Sequence, residues 1–331
     1  MHGIDRQLMR MARIKISGRG AVYHCISRVV GGQYLLGELE RERLRELLWQ
    51  QAEFSGLEVI TYCLMSNHFH LLVRVPAELT ATDAELVARA AKFYGPKSLY
   101  VQSLRQALEP QGRLPEELRA GLRARMGDVS AFMKELKQRF SKWFNRTRNR
   151  FGTLWAERFK SVLVEDQPGA VQVVAAYIDL NPVRAGLVGD PKEYRWCGYG
   201  EAVGGSALAR QGLGSFQESG GWEAVGAAYR RVLLVGSGRA GAAGKVAVEP
   251  EAIRRELQRG GKLALGEVLR LRVRYFSDGV VLGSRNYVNE VFGEFRDRFG
   301  PRRRNGARAL RGLDALAPLT TLRDLRVDAV G

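Results

Sequence analysis

His68 and His70 are two of only four histidines in the chain, and a single hydrophobic residue, Phe69, separates them. The stretch after them, Leu71-Leu72-Val73-Arg74-Val75, has the aliphatic make-up of a buried strand. So does the stretch before, Leu57-Glu58-Val59-Ile60-Thr61-Tyr62-Cys63-Leu64. On a strand, side chains alternate faces, so His68 and His70 point one way and Phe69 the other. At about 3.3 Å rise per residue their Cβ atoms stand roughly 6.6 Å apart, within reach of one ion. Burying two imidazoles is costly unless something uses them, although a half-exposed polar sheet face would also accommodate the pair.

About a hundred residues downstream, Tyr177 and Asn181 stand four apart in a segment of helical pattern. A continuous helix sets them on one face with Cβ atoms about 5–6 Å apart. Two imidazoles and an amide oxygen suit a divalent ion such as Mg²⁺ or Mn²⁺, with imidazole favouring Mn²⁺, and such a set leaves coordination positions open for phosphate oxygens. A tyrosine hydroxyl beside that ion is a candidate nucleophile toward phosphorus. With an ordinary pKa near 10 it needs help from the ion or a base. A lone tyrosine on a helix is more often a packing residue, and no spacing rule links it to the histidines.

The elements that must position these groups read in order. Residues 21–29 alternate as a first strand, and Gly31-Gly32 breaks it. Leu39, Leu44, Leu47, Leu48 and Ala52 give a helix over 38–55 with Gly56 as its stop. Strands follow at 57–64 and 68–75, joined by Ser66-Asn67 and ended by Pro76. Residues 77–130 are a helical insertion broken by Pro96, Pro110 and Pro115. From Asp128 a stronger helix carries Phe132, Leu136, Phe140 and Phe144 at i, i+4 spacing. A strand over 159–164 and a helix over 168–180 complete a strand, helix, strand, strand, helix, strand, helix series. That order predicts an α+β domain with an antiparallel sheet and helices on one side.

Beyond residue 200 the composition changes. Residues 201–248 are rich in Gly and Ala and read as a linker or extension. Residues 249–331 recover helical patterning at Ile253, Leu257, Leu263, Leu265, Val268 and Leu269, and again at Tyr287, Val288, Val291 and Phe292. Seven arginines against Asp297 lie between Arg296 and Arg311, which suggests a basic helical module contacting DNA in the helix-turn-helix manner, or a soluble cap.

Charge narrows the partner. Lys and Arg number 52 against 35 acids, a net +17 that favours a polyanion, nucleic acid before membrane. The excess is dense over 134–160, where Lys134, Lys137, Arg139, Lys142, Arg146, Arg148, Arg150, Arg158 and Lys160 face only Glu135 and Glu157. Trp143, Phe144, Phe151, Trp155 and Phe159 are interleaved with them. Most should be core residues, leaving one or two to stack bases beside a phosphate-tracking surface. Cys25, Cys63 and Cys197 lack metal spacing and suit free thiols in a reducing compartment. No apolar run approaches a membrane span, and a cytoplasmic location is expected.

Three blocks in this order carry a resemblance: Asn67-His68-Phe69-His70-Leu71-Leu72; Gly152-Thr153-Leu154-Trp155 with Arg158-Phe159; and Tyr177-Ile178-Asp179-Leu180-Asn181-Pro182-Val183-Arg184-Ala185-Gly186. Together they resemble the REP-associated tyrosine transposases, single-tyrosine enzymes with a His-hydrophobe-His (HUH) motif, over residues 11–200. A further stretch, Arg274-Tyr275-Phe276-Ser277-Asp278-Gly279 to Gly283-Ser284, resembles C-terminal extensions of some members. The resemblance implies a ferredoxin-like catalytic domain that cuts single-stranded DNA near hairpins, as monomer or homodimer. By position, His68 and His70 would be metal ligands, Tyr177 the nucleophile forming a 5′-phosphotyrosine, and Asn181 the third ligand, with Asp179 or Glu157 able to replace it. A catalytically silent nucleic-acid-binding protein of the same fold is the alternative. A replication-initiator nickase is disfavoured, because no Gly-x-x-x-x-Gly-Lys-Ser/Thr stretch occurs.

Overall fold

The computed structural model describes residues 13–109, 112–217, 220–234, 265–269 and 271–323. The strands β1 (Ala21–Arg28), β2 (Glu58–Leu64) and β3 (His68–Val75) form where the apolar runs predict them. Helix α1 (Glu38–Ser55) ends at Gly56, whose φ of 71° is the left-handed stop that glycine adopts without strain. Next come α2 (Asp83–Tyr94), α3 (Leu99–Leu108) and α4 (Glu116–Arg123). They bury a separate small core with Leu86, Ala90, Leu104 and Leu122, docked on α1 through Phe54, whose ring stacks on Phe93 at 4.3 Å. The insertion therefore supplies its own apolar filling.

Helix α5 (Val129–Thr147) is capped by Asp128, whose carboxylate accepts the Ala131 N–H at 2.7 Å. Strand β4 (Lys160–Val164) and helix α6 (Pro168–Asp179) follow. The strands pair in the order β2-β3-β1-β4, antiparallel throughout, which is the ferredoxin-like arrangement. Phe69 faces Trp155 and, beyond it, Phe140 of α5, and α1 packs beside α5. His70 faces the other way, toward Tyr177, and α6 packs there on β2 and β3. Helices α1 and α5 thus cover one face, while α6 lies on the other and brings its tyrosine to the face that carries the histidines.

The C-terminal half departs from the sequence expectation in two ways. Residues 201–234 are no loose linker. After the short α7 (Asn181–Arg184), they form the end of α8 (Gly198–Val203), with α9 (Ala207–Gly214) and α10 (Trp222–Leu234), a compact layer on β2 and α6. Glu201 ties this layer down, accepting bonds from Tyr62 Oη at 2.5 Å and from Arg45 at 2.6 Å. The glycines that read as flexibility are close approaches: a Cβ at Gly212 would collide with the carbonyl oxygens of Val59 and Ile60. Positions 235–248, and the helix expected around Ile253, Leu257 and Leu263, lie outside the described residues, as does the basic lead-in 1–12.

The basic C-terminal stretch is not a helix-turn-helix either. Interspersed with α11 (Leu265–Leu269), α12 (Tyr275–Asp278) and α13 (Arg285–Glu294), the C-terminal part adds β5 (Val281–Gly283), β6 (Arg308–Ala309) and β7 (Thr320–Thr321) to the main sheet. The full order is β2-β3-β1-β4-β5-β7-β6, with β4 and β5 parallel. Some of its arginines serve this packing: Arg298 donates to the Arg13 carbonyl and Arg303 to the carbonyls of Asn305 and Gly306, whereas Arg302, Arg304, Arg308 and Arg311 are exposed.

Candidate active site

The site begins with a third histidine. His24 on β1 is fully buried, and its Nδ1 lies 2.8 Å from the Phe276 carbonyl oxygen. A carbonyl only accepts, so Nδ1 carries the proton and donates. Burial holds His24 down at about 4, so the ring is neutral near pH 7 and its Nε2 is an acceptor. That Nε2 is 2.8 Å from His70 Nδ1, which must donate to it. The Nε2 of His70 is left with a free lone pair. His68 reaches the same state separately. Asn67 Nδ2 donates to the Gly32 carbonyl, which turns Asn67 Oδ1 toward His68 Nδ1 at 2.7 Å. Burial, with Arg28 and Arg272 nearby, holds His68 down at about 4; burial, with the two other histidines, holds His70 well below its ordinary value. Both rings, 5.1 Å apart, are thus neutral and offer Nε2 as a donor to a metal.

Because His24 sets the tautomer and orientation of His70, replacing it should weaken the hold on any ion that His68 and His70 would bind, as proposed below, while leaving both imidazoles in place. His24→Leu is expected to raise the Mn²⁺ dissociation constant about 10–100-fold in calorimetric titration. Unchanged affinity would show that His70 holds its orientation unaided.

Tyr177 is 3% exposed and its ring lies 6.3 Å from those of both His24 and His70. Phe276 closes one side at 4.6 Å, and the Arg184 guanidinium sits 4.0 Å over the ring. Arg184 also donates to the carbonyls of Tyr177 and Leu269 at 2.6 and 2.7 Å, which fixes the end of α6 to α11. The structure therefore brings His68, His70 and Tyr177 together. The continuous helix expected through Asn181 is not formed: α6 stops at Leu180, and Asn181-Pro182 starts α7. Asn181 still folds back, its Nδ2 donating to the Ile178 carbonyl at 3.0 Å, so only Oδ1 remains as a potential ligand atom. Asp179 is removed from consideration. It points away into the α8–α10 layer, where its carboxylate accepts from Thr61 Oγ1 at 3.0 Å, Tyr199 N at 3.0 Å and Tyr229 Oη at 2.7 Å. Glu157 belongs to the segment bound to α5 on the opposite face, where Lys137 Nζ donates to its carbonyl at 2.8 Å. Among the described residues, no three His, Cys, Asp or Glu side chains gather as a metal site. The donors brought together are the two imidazoles, with no contact joining the Asn181 amide oxygen to them among the described residues; such a pair leaves positions open and suits a borderline divalent ion.

The nine basic candidates separate. Lys137 is buried, with its ammonium near the Trp155 ring and its pKa pulled to about 8 by burial, so it is a strut and not a phosphate ligand. Arg139 is half-buried over the Phe93 ring and donates to Gln50. Arg148 pairs with the buried Glu40 at 2.8 Å, and Lys160 pairs with Asp278 at 3.1 Å. Lys134, Lys142, Arg146 and Arg158 are exposed and Arg150 is half-buried. Of the interleaved aromatics, Phe144, Trp155 and Phe159 are core and Trp143 is half-buried, whereas Phe151 is 89% exposed. Sequence reading passed over His24, Arg28, Arg184 and Arg272. The available signal for His24 was a histidine in phase with Val22 and Ile26 on an otherwise apolar strand.

Over residues 19–88 the chain carries the sequence pattern of the family described as "Transposase IS200 like". That span covers β1 to β3 with His24, His68 and His70, and stops well before Tyr177. Among solved structures the chain is similar to a REP-associated tyrosine transposase bound to a REP hairpin, at 15% identity and a TM-score of 0.37, over 61% of this chain and 90% of that one. No curated protein sequence matches the chain.

Proposed function

We propose that this protein is a metal-dependent single-stranded DNA endonuclease and strand-transferase that works through a 5′-phosphotyrosine. The observation that carries the reading is the hydrogen-bond relay from Phe276 through His24 to His70 which, with the separate Asn67–His68 bond, leaves two neutral imidazole lone pairs beside a tyrosine from a separate helix. His68 and His70, with Asn181 Oδ1, are the residues that would hold the ion. When bound, it would supply positive charge to the non-bridging phosphate oxygens and the departing oxygen. The Tyr177 oxygen forms a bond to phosphorus, the bond from phosphorus to the 3′ oxygen breaks, and that oxygen takes a proton to become a 3′-hydroxyl. The phenolic proton leaves to solvent. Attack by a 3′-hydroxyl on the phosphotyrosine reverses the step with no nucleotide cofactor. Arg184 holds the tyrosine ring and its backbone, and Arg28 and Arg272, both exposed beside His68, are placed to receive the flanking phosphates. Tyr177 is so enclosed that a phosphate reaches it only when Phe276 or Arg184 shifts. The preference for hairpin-bearing DNA rests on the three sequence blocks.

The test is metal dependence. Purified protein is incubated with labelled single-stranded oligonucleotides carrying hairpins from beside its own gene, in Mn²⁺, in Mg²⁺ and in EDTA. Cleavage with metal and none in EDTA is expected. Tight binding without cleavage in any metal would favour a silent nucleic-acid-binding protein instead.

Binding itself should be strongly electrostatic, given the net +17. With about four phosphates contacted, affinity for single-stranded DNA is expected to fall roughly fifty-fold between ~50 and ~200 mM salt. Lys142→Ala combined with Arg146→Ala should flatten the log–log slope by about 1.4, at ~0.7 per phosphate. An unaltered slope would place the DNA on another face.

A further inference from the structure

The chain turns back sharply after α5. Asn149 takes a left-handed φ of 46°, Gly152 one of 86°, and Asn145 Nδ2 donates to the Gly152 carbonyl at 3.0 Å to close the turn. Inside the turn is an open cavity of about 450 Å³ lined by Lys142, Asn145, Arg146, Arg150 and Phe151, together with Asn149 and Gly152. No acidic side chain lines it. Three cations outweigh the roughly half negative charge of the helix C-terminus beside them. Two further features need explaining. Phe151, a large aromatic ring, stands 89% exposed at the rim. Asn145 Oδ1 and Arg150 Nη1 are both buried and have no hydrogen-bond partner among the described residues. An unmet acceptor and an unmet guanidinium donor on two residues that line the recess, both covered until a side chain turns outward, are costly for a protein to keep.

We propose that this recess binds one unpaired nucleotide of the DNA strand. The base stacks on Phe151. Its edge presents an amino or imino hydrogen to Asn145 Oδ1 and a ring nitrogen or carbonyl oxygen to Arg150 Nη1. Lys142 and Arg146 take the two adjoining phosphates. Each of these contacts matches a group that is otherwise unexplained, and stacking with a donor–acceptor pair is how single strands are held without a duplex groove. The recess is joined to the histidine strand by short links. Leu154 accepts the Val30 N–H at 2.9 Å, Val29 pairs with Trp155, and Asn67, which orients His68, bonds the Gly32 carbonyl of the same loop. A base anchored here would tether the strand at the His68 end of the sheet. The proposal rests on the reading of the protein as acting on single-stranded DNA, and it adds a base-recognition point outside the reacting centre.

The test compares two probes with the full-length protein: a dT15 strand and a 15-mer of abasic deoxyribose phosphates. Wild-type protein is expected to bind dT15 about tenfold more tightly, on the scale of a stacked base. Phe151→Ala should abolish that preference while leaving abasic binding and its salt slope unchanged, and Phe151→Trp should retain it. Asn145→Ala should reduce the preference part of the way. Phe151 is on the surface, so its loss does not threaten folding, and an unchanged melting temperature verifies this. If Phe151→Ala keeps the full preference, or weakens both probes equally, the recess is not a base site. If the wild-type protein binds neither probe, the failure lies with the single-stranded DNA reading itself.

Discussion

Tyr177→Phe is expected to hold DNA as the wild-type protein does, to form no covalent adduct, and to cut at least ~10³-fold more slowly. The substitution removes one oxygen and leaves the ring. Phe276 at 4.6 Å, the Arg184 guanidinium at 4.0 Å and the two histidines at 6.3 Å all contact the ring and not the hydroxyl specifically. Packing should survive, and the melting temperature should move by no more than a few degrees, since ordinary small substitutions cost up to about 1 kcal/mol. A large loss of rate without a loss of binding or fold is what a nucleophile predicts and a packing tyrosine does not. If Tyr177→Phe cuts at the wild-type rate, the nucleophile is another group or water.

The second large effect concerns Asp179, two residues beyond the tyrosine and facing away from it. Its buried carboxyl gathers the Thr61 hydroxyl, the Tyr199 N–H and the Tyr229 hydroxyl from three different elements. Asp179→Ala leaves those donors buried without an acceptor, at about 1–3 kcal/mol each, plus a cavity. Burial also pushes the Asp179 pKa up to about 6. A raised folded-state value contributes stability below the unfolded value near 3.8 that is lost as pH rises through 6. Part of the donor penalty is therefore offset at pH 7 by relief from the buried charge. The expected outcome in denaturant titration is a destabilisation of several kcal/mol, larger at pH 5 than at pH 7 by about 1 kcal/mol. Asp179→Asn should cost less, because the hydroxyls can turn to suit an amide. His24 and His68 act in the opposite sense. Their folded values near 4 contribute stability that is present above about 6.5 and lost as pH falls toward 4. In Asp179→Ala the rise in stability from pH 4 to 6.5 should therefore be steeper than in the wild type. An equal destabilisation at both pH values would mean that burial does not raise the Asp179 carboxyl, and no destabilisation at either would mean that Asp179 is not the acceptor at the centre of this layer.

Where local pattern is enough, the sequence was readable. The run 38–55 becomes α1 with its glycine stop, and the alternation around His68 and His70 becomes β3 with both imidazoles on one face. The pairing of those histidines with Tyr177 was legible only through the resemblance of separate blocks, because contacts a hundred residues apart leave no periodicity. His24 was missed for the same reason, since its role depends on lying beside His70 across the β1–β3 ladder. Residues 201–234 misled because Gly and Ala serve two opposite ends: they loosen a linker, and they also let a helix approach a sheet closely, as Gly212 does over Val59 and Ile60. The basic run 134–160 was read by charge alone. Charge cannot separate Lys137, turned inward to a carbonyl, from Lys142, turned outward to the recess. The addition of β5, β6 and β7 to the sheet comes from strands two or three residues long, too short to carry an alternation.

The central claim is tested most directly by locating the bond between protein and DNA. A 3′-labelled hairpin-bearing single strand is cut with Mn²⁺ under denaturing quench, the adduct is digested with trypsin and nuclease, and the nucleotide-linked peptide is sequenced by mass spectrometry. The account predicts a single linkage, on the peptide containing Tyr177, through a 5′ phosphate. Linkage to any other residue, or cutting that proceeds fully with no linked peptide at any time, would contradict it.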